Sequence, residues 1–168
     1  DQAQKIYDDV GSSEIDLGIV AYPRAQRNVD VIQFTEDQMV VIAHPDHALG
    51  AEDTLDPKAL SDCPLILFTQ ETPTRRAIDR YFRKHGVRPN IVMEMDHIST
   101  IKHAVEVDIG VSVVPINSVE QEIFVGTLKA ISFNGEAFAR PLGILYRRGR
   151  SLSVATQKLL DVLTEKSD

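Results

Sequence analysis

Cysteine and tryptophan are almost missing from this chain: its 168 residues hold one cysteine, Cys63, and no tryptophan. One cysteine excludes an internal disulfide and fits a reducing compartment such as the cytoplasm. No apolar run approaches the ~20 residues of a membrane-spanning helix, so no membrane partner is expected. Glycine-rich phosphate loops are absent too, as are G-x-G-x-x-G, H-E-x-x-H and G-x-S-x-G, so no cofactor, metal or nucleophile signature is legible. Positive charge is in short supply: 18 Lys and Arg against 25 Asp and Glu leave a net charge of -7 and a pI near 5.2. A free-standing nucleic-acid binder normally shows a basic face. The one basic cluster, Arg147-Arg148-Gly149-Arg150, reads as a solvated strand end. Asp1-Gln2-Ala3-Gln4 does not read as a signal peptide. The chain opens without Met inside what reads as a helix, and is expected to be a piece of something longer.

What is present is ordinary globular composition, 43% hydrophobic and 26% charged. At this length roughly two-thirds of the unfolded surface can be buried, in one domain or two small lobes. Leu17-Gly18-Ile19-Val20, Met39 to Ala43, Leu65 to Phe68, Ile91 to Met93 and Val111 to Val114 read as strands. Continuous apolar runs of this kind suit a mainly parallel sheet covered on both faces. Between them lies helical periodicity. In 73 to 85, Ala77, Ile78, Tyr81 and Phe82 form one face, with Thr72 as cap, Pro73 at the first position and Gly86 at the end. A helix over 99 to 108 takes Ser99 as its cap. Asn117 and Glu120 are spaced as a capping box before a helix ending near Gly126. Ser151 is placed to cap a last helix with a stripe of Leu152, Leu159, Leu160 and Leu163. Strand–helix alternation argues an α/β fold. Residues 29 to 44, interrupted at Thr35-Glu36-Asp37, and 140 to 147 read as two long extended passages that could carry the chain between lobes.

Two strand-to-helix turns stand out: Thr69-Gln70-Glu71-Thr72 and Asp96-His97-Ile98-Ser99-Thr100. Each puts hydroxyls and free backbone N–H groups beyond a strand's carboxyl end, where open α/β sheets receive anions and small polar ligands. The plain reading of Thr72 and Ser99 is that they are helix caps. His44 and His47 flank Pro45 in a turn that ends a strand, and His97 and His103 lack the companions a metal site needs.

Several motifs, in order along the whole chain, resemble the effector-binding domain of LysR-type transcriptional regulators. They are Glu14 to Val20, Pro45-Asp46-His47-Ala48-Leu49, Leu55 to Ile66, Phe82 to Pro89, Val105 to Pro115 and Gly126-Thr127-Leu128. Asp108 stands where that family usually has Gly, and Ala48 where it often has Pro. The resemblance implies a two-lobed, periplasmic-binding-protein-like fold of type II. Each lobe would be a mixed, mainly parallel sheet flanked by helices. Lobe I would hold 1–37 and 140–168 and lobe II 38–139, joined by two crossover strands. It implies that lobe I is incomplete here, and that DNA is contacted only through a helix-turn-helix outside this chain. It further implies a homodimer or homotetramer of the parent protein.

By the same resemblance, a small effector, a small acid or anion, would bind in the cleft between the lobes. The candidate residues are Ala21, Tyr22, Thr69, Gln70, Thr72, Ser99, Thr100, Pro115 and Asn117. The expectation is therefore a cytoplasmic ligand sensor and not an enzyme. The alternatives are a stand-alone solute-binding protein of a transport system and an α/β enzyme acting on a small acid. For the enzyme, no nucleophile, base and orienting group can be assembled. The net charge predicts that this chain alone does not hold duplex DNA tightly, and a low-salt gel shift with sequence-selective binding would overturn that.

Overall fold

The computed structural model describes residues 2–165. In chain order the elements are α1 (Gln2–Ser12), β1 (Leu17–Ala21), β2 (Val29–Ala43), β3 (Thr54–Leu55), β4 (Pro64–Phe68), α2 (Pro73–His85) and β5 (Asn90–Met95). They continue with α3 (Ile98–Glu106), β6 (Ser112–Pro115), α4 (Glu120–Val125), β7 (Lys129–Phe133), β8 (Ala139–Arg147) and α5 (Val154–Glu165). The chain divides into two units: unit 1 holds the residues up to Glu36 and from Pro141 onward, and unit 2 holds Asp37–Arg140. The passages between them fall inside β2 and β8.

In unit 1, β1 lies antiparallel to β8, with Leu17 opposite Tyr146 and Ala21 opposite Leu142. The apolar face of α1 packs Ile6, Tyr7 and Val10 against Val20, Val29 and Leu145. Gly18 permits that approach, because a Cβ there would meet Ile6 Cγ2 at 2.4 Å. The last helix is capped two residues later than expected: Ser153 Oγ, not Ser151, accepts from the Thr156 N–H at 3.1 Å. Its stripe is also narrower than expected. Leu160 is buried but Leu159 is 52% exposed, because residues one apart on a helix differ by about 100° in direction.

In unit 2 the strand pairing is mixed, as expected, with parallel and antiparallel ladders of similar extent. The second half of β2 is antiparallel to β6, Met39 facing Pro115, and to β7, Val41 facing Ile131. Parallel pairing joins β3 to β7 and β4 to β5, and one parallel bridge joins Leu65 to Val111. A continuous apolar strand such as Met39–Ala43 needs cover on both faces, and an antiparallel strand inside a layered unit has that cover as well. The expected break at Thr35-Glu36-Asp37 is absent, and β2 runs through it. Asp37 can stay in the strand although it is only 4% exposed, because its carboxylate accepts from Arg140 Nη2 at 3.0 Å. Cys63 is buried beside the short 3-10 turn Pro57–Asp62, its Sγ 3.6 Å from the Ala59 carbonyl. Burial, with the Asp62 charge adding to it, pushes the thiol pKa up.

Two neighbouring residues after α3 obey opposite backbone rules. Asp108 has φ of 57°, in the left-handed region that disfavours side chains. At Gly110 a Cβ would lie 2.4 Å from the Pro64 carbonyl oxygen, a fixed backbone atom. Asp108→Gly should therefore stabilise the chain by about 0.5–1 kcal/mol. Gly110→Ala should destabilise it by about 1–3 kcal/mol. Urea titration of both variants checks the pair of opposite signs.

Candidate functional site

The carboxyl ends of β4 and β5 are level. Their parallel register runs from Pro64 opposite Asn90 to Phe68 opposite Met95, with one irregularity after Leu65. The turns that follow are joined at once, the Thr69 N–H donating to the Met95 carbonyl at 3.0 Å. Both singled-out turns therefore open from one edge of unit 2. The chain after β6 joins the same group. Lys102 on α3 donates through Nζ to the Ser118 carbonyl at 3.1 Å and to Glu122 Oε1 at 2.6 Å. Pro115 closes β6 and is buried, and Asn117 is exposed in the short 3-10 turn Ile116–Ser118.

The first turn is built by Thr72. Its Oγ1 donates to the Thr69 carbonyl at 3.0 Å and accepts from the Arg75 N–H at 3.1 Å. The extended backbone of Thr72, with φ of -78°, and Pro73 behind it start α2 as an N-cap and a first-position proline do. The single hydroxyl proton of Thr72 is thus consumed inside the protein, whereas that of Thr69 makes no hydrogen bond among the described residues. Beneath the turn sits Arg75, buried at 3% exposure. It donates from Nη1 to the Phe68 carbonyl at 2.7 Å and from Nε to Asp79 Oδ1 at 2.9 Å, and it is paired with Glu94. Burial alone lowers the pKa of this guanidinium. Its hydrogen bonds to Glu94 and Asp79 outweigh that and push the pKa up.

The second turn differs from expectation. Residue 97, not Ser99, is the N-cap of α3, and it makes no side-chain cap bond. Ser99 lies within the first helical turn and is exposed, and Thr100 Oγ1 donates back to the His97 carbonyl at 2.6 Å. The opening N–H groups of α3 have no intrahelical acceptor and receive none from His97. Neither α2 nor α3 carries an acidic residue in its first turn. The positive ends of both helix dipoles therefore face this edge, and the nearest acids in sequence, Glu71 and Asp96, each stand one residue before the cap. Asn117 caps nothing: α4 starts after Val119, so the capping box with Glu120 does not form.

Of the remaining candidates, Gln70 is exposed in the first turn. Ala21 and Tyr22 belong to unit 1, at the end of β1, where the Tyr22 N–H donates to the Pro141 carbonyl at 2.8 Å. Tyr22 has φ of 52°, a conformation that a residue of this size rarely adopts. Sequence reasoning missed Arg75, Lys102 and Glu122. The only signal for Arg75 was the i, i+4 spacing to Asp79, and nothing local marked it as buried. Among the described residues, no three His, Cys, Asp or Glu side chains gather to hold a metal ion, and no helix is long and apolar enough to cross a membrane.

The profile of the LysR substrate binding domain matches residues 1–168. The chain is 30% identical over 144 residues to a RuBisCO operon transcriptional regulator of Allochromatium vinosum, covering 86% of this chain and 48% of that protein. It is 28% identical over 160 residues to the HTH-type transcriptional activator CmpR of Synechocystis, covering 95% of this chain and 53% of that protein. The chain thus spans about half the length of the curated relatives it matches. Among solved structures, the Synechocystis CcmR regulatory domain in complex with 2-PG superposes with a TM-score of 0.85 at 27% identity, over 98% of this chain and 79% of that one. The effector binding domain of QuiR in complex with shikimate gives 0.84 at 22% identity, over 98% and 77%.

The Lys102–Glu122 link ties α3 to α4, and it titrates. The hydrogen bond from Lys102 holds the Glu122 carboxyl below the usual glutamate range, against the opposing effect of burial. With the folded pKa below the unfolded one, the stabilisation is complete above about pH 4.3 and is lost as pH falls through the folded value. Lys102→Met should therefore flatten the loss of stability below about pH 4.5. Urea midpoints measured from pH 7 to pH 3 read this out, and parallel curves for parent and variant would contradict it.

Proposed function

The chain belongs to the LysR substrate binding domain family, and from that premise we propose that it is the effector-sensing part of a LysR-type transcriptional regulator whose ligand is a small acid or anion. The observation that carries the anion reading is the shared edge of unit 2, where α2 and α3 both begin with no acid in their first turns. Aligned peptide dipoles at both helices, and the free backbone N–H groups of the first turn of α3, favour a negative group there. The first turn of α2 adds few such donors, since Pro73 has no N–H and that of Arg75 is held by Thr72. The CcmR regulatory domain, 27% identical, is known in complex with 2-PG, and this supports the same class of ligand for this chain.

On this reading Thr69, Gln70, Ser99 and Thr100 contact the ligand, while Thr72 holds the turn. Pro115 and Asn117 flank it, and Ala21 and Tyr22 are the candidates in unit 1. The chain senses and does not turn its ligand over, since its relatives are named as transcriptional regulators. DNA contact belongs to a part of the parent protein outside these residues. The parent works as a cytoplasmic homodimer or homotetramer.

Thr69 and Thr72 separate the two roles. Thr72→Ala should cost about 1 kcal/mol of stability through the lost cap. Thr69→Ala should leave stability unchanged and weaken binding by about 0.5–1.5 kcal/mol, or about 1.5–3 kcal/mol against a charged ligand group. A thermal-shift screen of small acids, beginning with 2-PG, finds the ligand: at about 100 times its Kd it stabilises by about 2.7 kcal/mol. Calorimetry on the two variants then decides, and a Thr69→Ala chain that binds like the parent would remove this edge from the site.

A further inference from the structure

Unit 1 carries an open pocket of about 380 Å³, lined by Pro23, Arg24, Asp30, Val31, Gln33 and Arg148 among others. We propose that it is a second anion site, which takes a small organic carboxylate or phosphate between Arg24 and Arg148. The volume lies within the range of small-molecule pockets.

The pocket is built rather than incidental. Pro23 and Val31 on its wall are seated against Gly143, where a Cβ would stand 2.7 Å from Pro23 Cβ and 3.0 Å from Val31 Cγ1. Arg148 is anchored by its backbone N–H to the Asn28 carbonyl at 2.9 Å. Arg24 is anchored twice at Tyr7. Its N–H donates to Tyr7 Oη at 2.8 Å, and Tyr7 Oη donates to its carbonyl at 3.1 Å.

The charges do not balance. The Arg24 guanidinium donates to Gln4 Oε1 at 2.5 Å and lies 5.7 Å from the centre of the Tyr7 ring. Both partners are neutral, so they fix the guanidinium without neutralising it. Arg148 uses Nε alone, donating to Asp30 Oδ1 at 2.8 Å, and its terminal amino groups have no partner among the described residues. Two cations thus share one carboxylate, in a chain whose net charge is -7. A guanidinium fork matches a carboxylate or phosphate through two parallel hydrogen bonds. Pro23, Val29 and Val31 offer apolar contact to a short carbon body. The site's lining residues all belong to unit 1, and none of them is a residue of the unit 2 edge. Tyr22 is not among them, although Pro23 and Arg24 follow it directly in the chain.

The test is an NMR titration of the arginine Nε–Hε signals with inorganic phosphate, and separately with acetate, at constant ionic strength held with chloride. Saturable shifts of Arg24 and Arg148, with a Kd on the order of 1–10 mM, are expected. Arg24→Gln should weaken binding at least about five-fold while melting like the parent. Arg148→Lys, which keeps a charge for Asp30 but loses the fork, should weaken it as well. Thr69→Ala should leave it unchanged, so that failure of this site and failure of the unit 2 site are told apart. Shifts that do not saturate, or that chloride reproduces, overturn the proposal. So does an Arg24→Gln chain that binds phosphate like the parent, or a response lost in Thr69→Ala alone.

Discussion

A charge that water cannot reach organises the carboxyl edge of unit 2. Arg75 brings a guanidinium into a site with 3% exposure, and an uncompensated charge there would cost several kcal/mol. It is tolerated because its acceptors come from three directions: the Phe68 carbonyl at the end of β4, Glu94 on β5 and Asp79 one turn along α2. The same satisfaction that makes burial possible determines where β4 must stop and where α2 must start. The turn between them then has little freedom, and Thr72 removes what is left by bonding across it. The groups proposed to face the ligand are thus positioned by a residue that is itself buried.

Much of this was legible in the residues. The α2 boundaries follow from Thr72, Pro73 and Gly86, each with a local conformational reason. The structure returns Pro73–His85 with Gly86 at φ of 70°. The two turns were found from the same chemistry, hydroxyls just past an apolar strand, and both proved to share one edge. Asp108 was recognised as a departure from glycine by resemblance, and its positive φ supplies the physical meaning of that departure.

What was not legible depended on tertiary partners. Asp37 looked like a strand breaker because its charge is unfavourable in a buried strand, yet Arg140, about a hundred positions away in sequence, neutralises it. Ser99 looked like a cap because serine is a good one, but the cap falls two residues earlier, at His97, which contributes only backbone. The apolar runs Leu17–Val20 and Met39–Ala43 pair antiparallel whereas Leu65–Phe68 pairs parallel, because apolar continuity reports cover on two faces and carries no information on the sense of the neighbour. Leu159 shows the limit of a stripe read from spacing alone, since the width of the face that is covered is set by the partner surface.

The buried thiol of Cys63 has a consequence for how this protein can be observed. A thiol whose pKa is raised and whose sulfur is screened from solvent offers little thiolate to an alkylating or oxidising reagent. As the chain has no other cysteine, its native background toward maleimides is nearly silent. A single cysteine introduced on the surface therefore becomes an addressable position for a fluorophore or spin label without prior removal of the natural one. The same inertness argues against covalent signalling through the Cys63 sulfur.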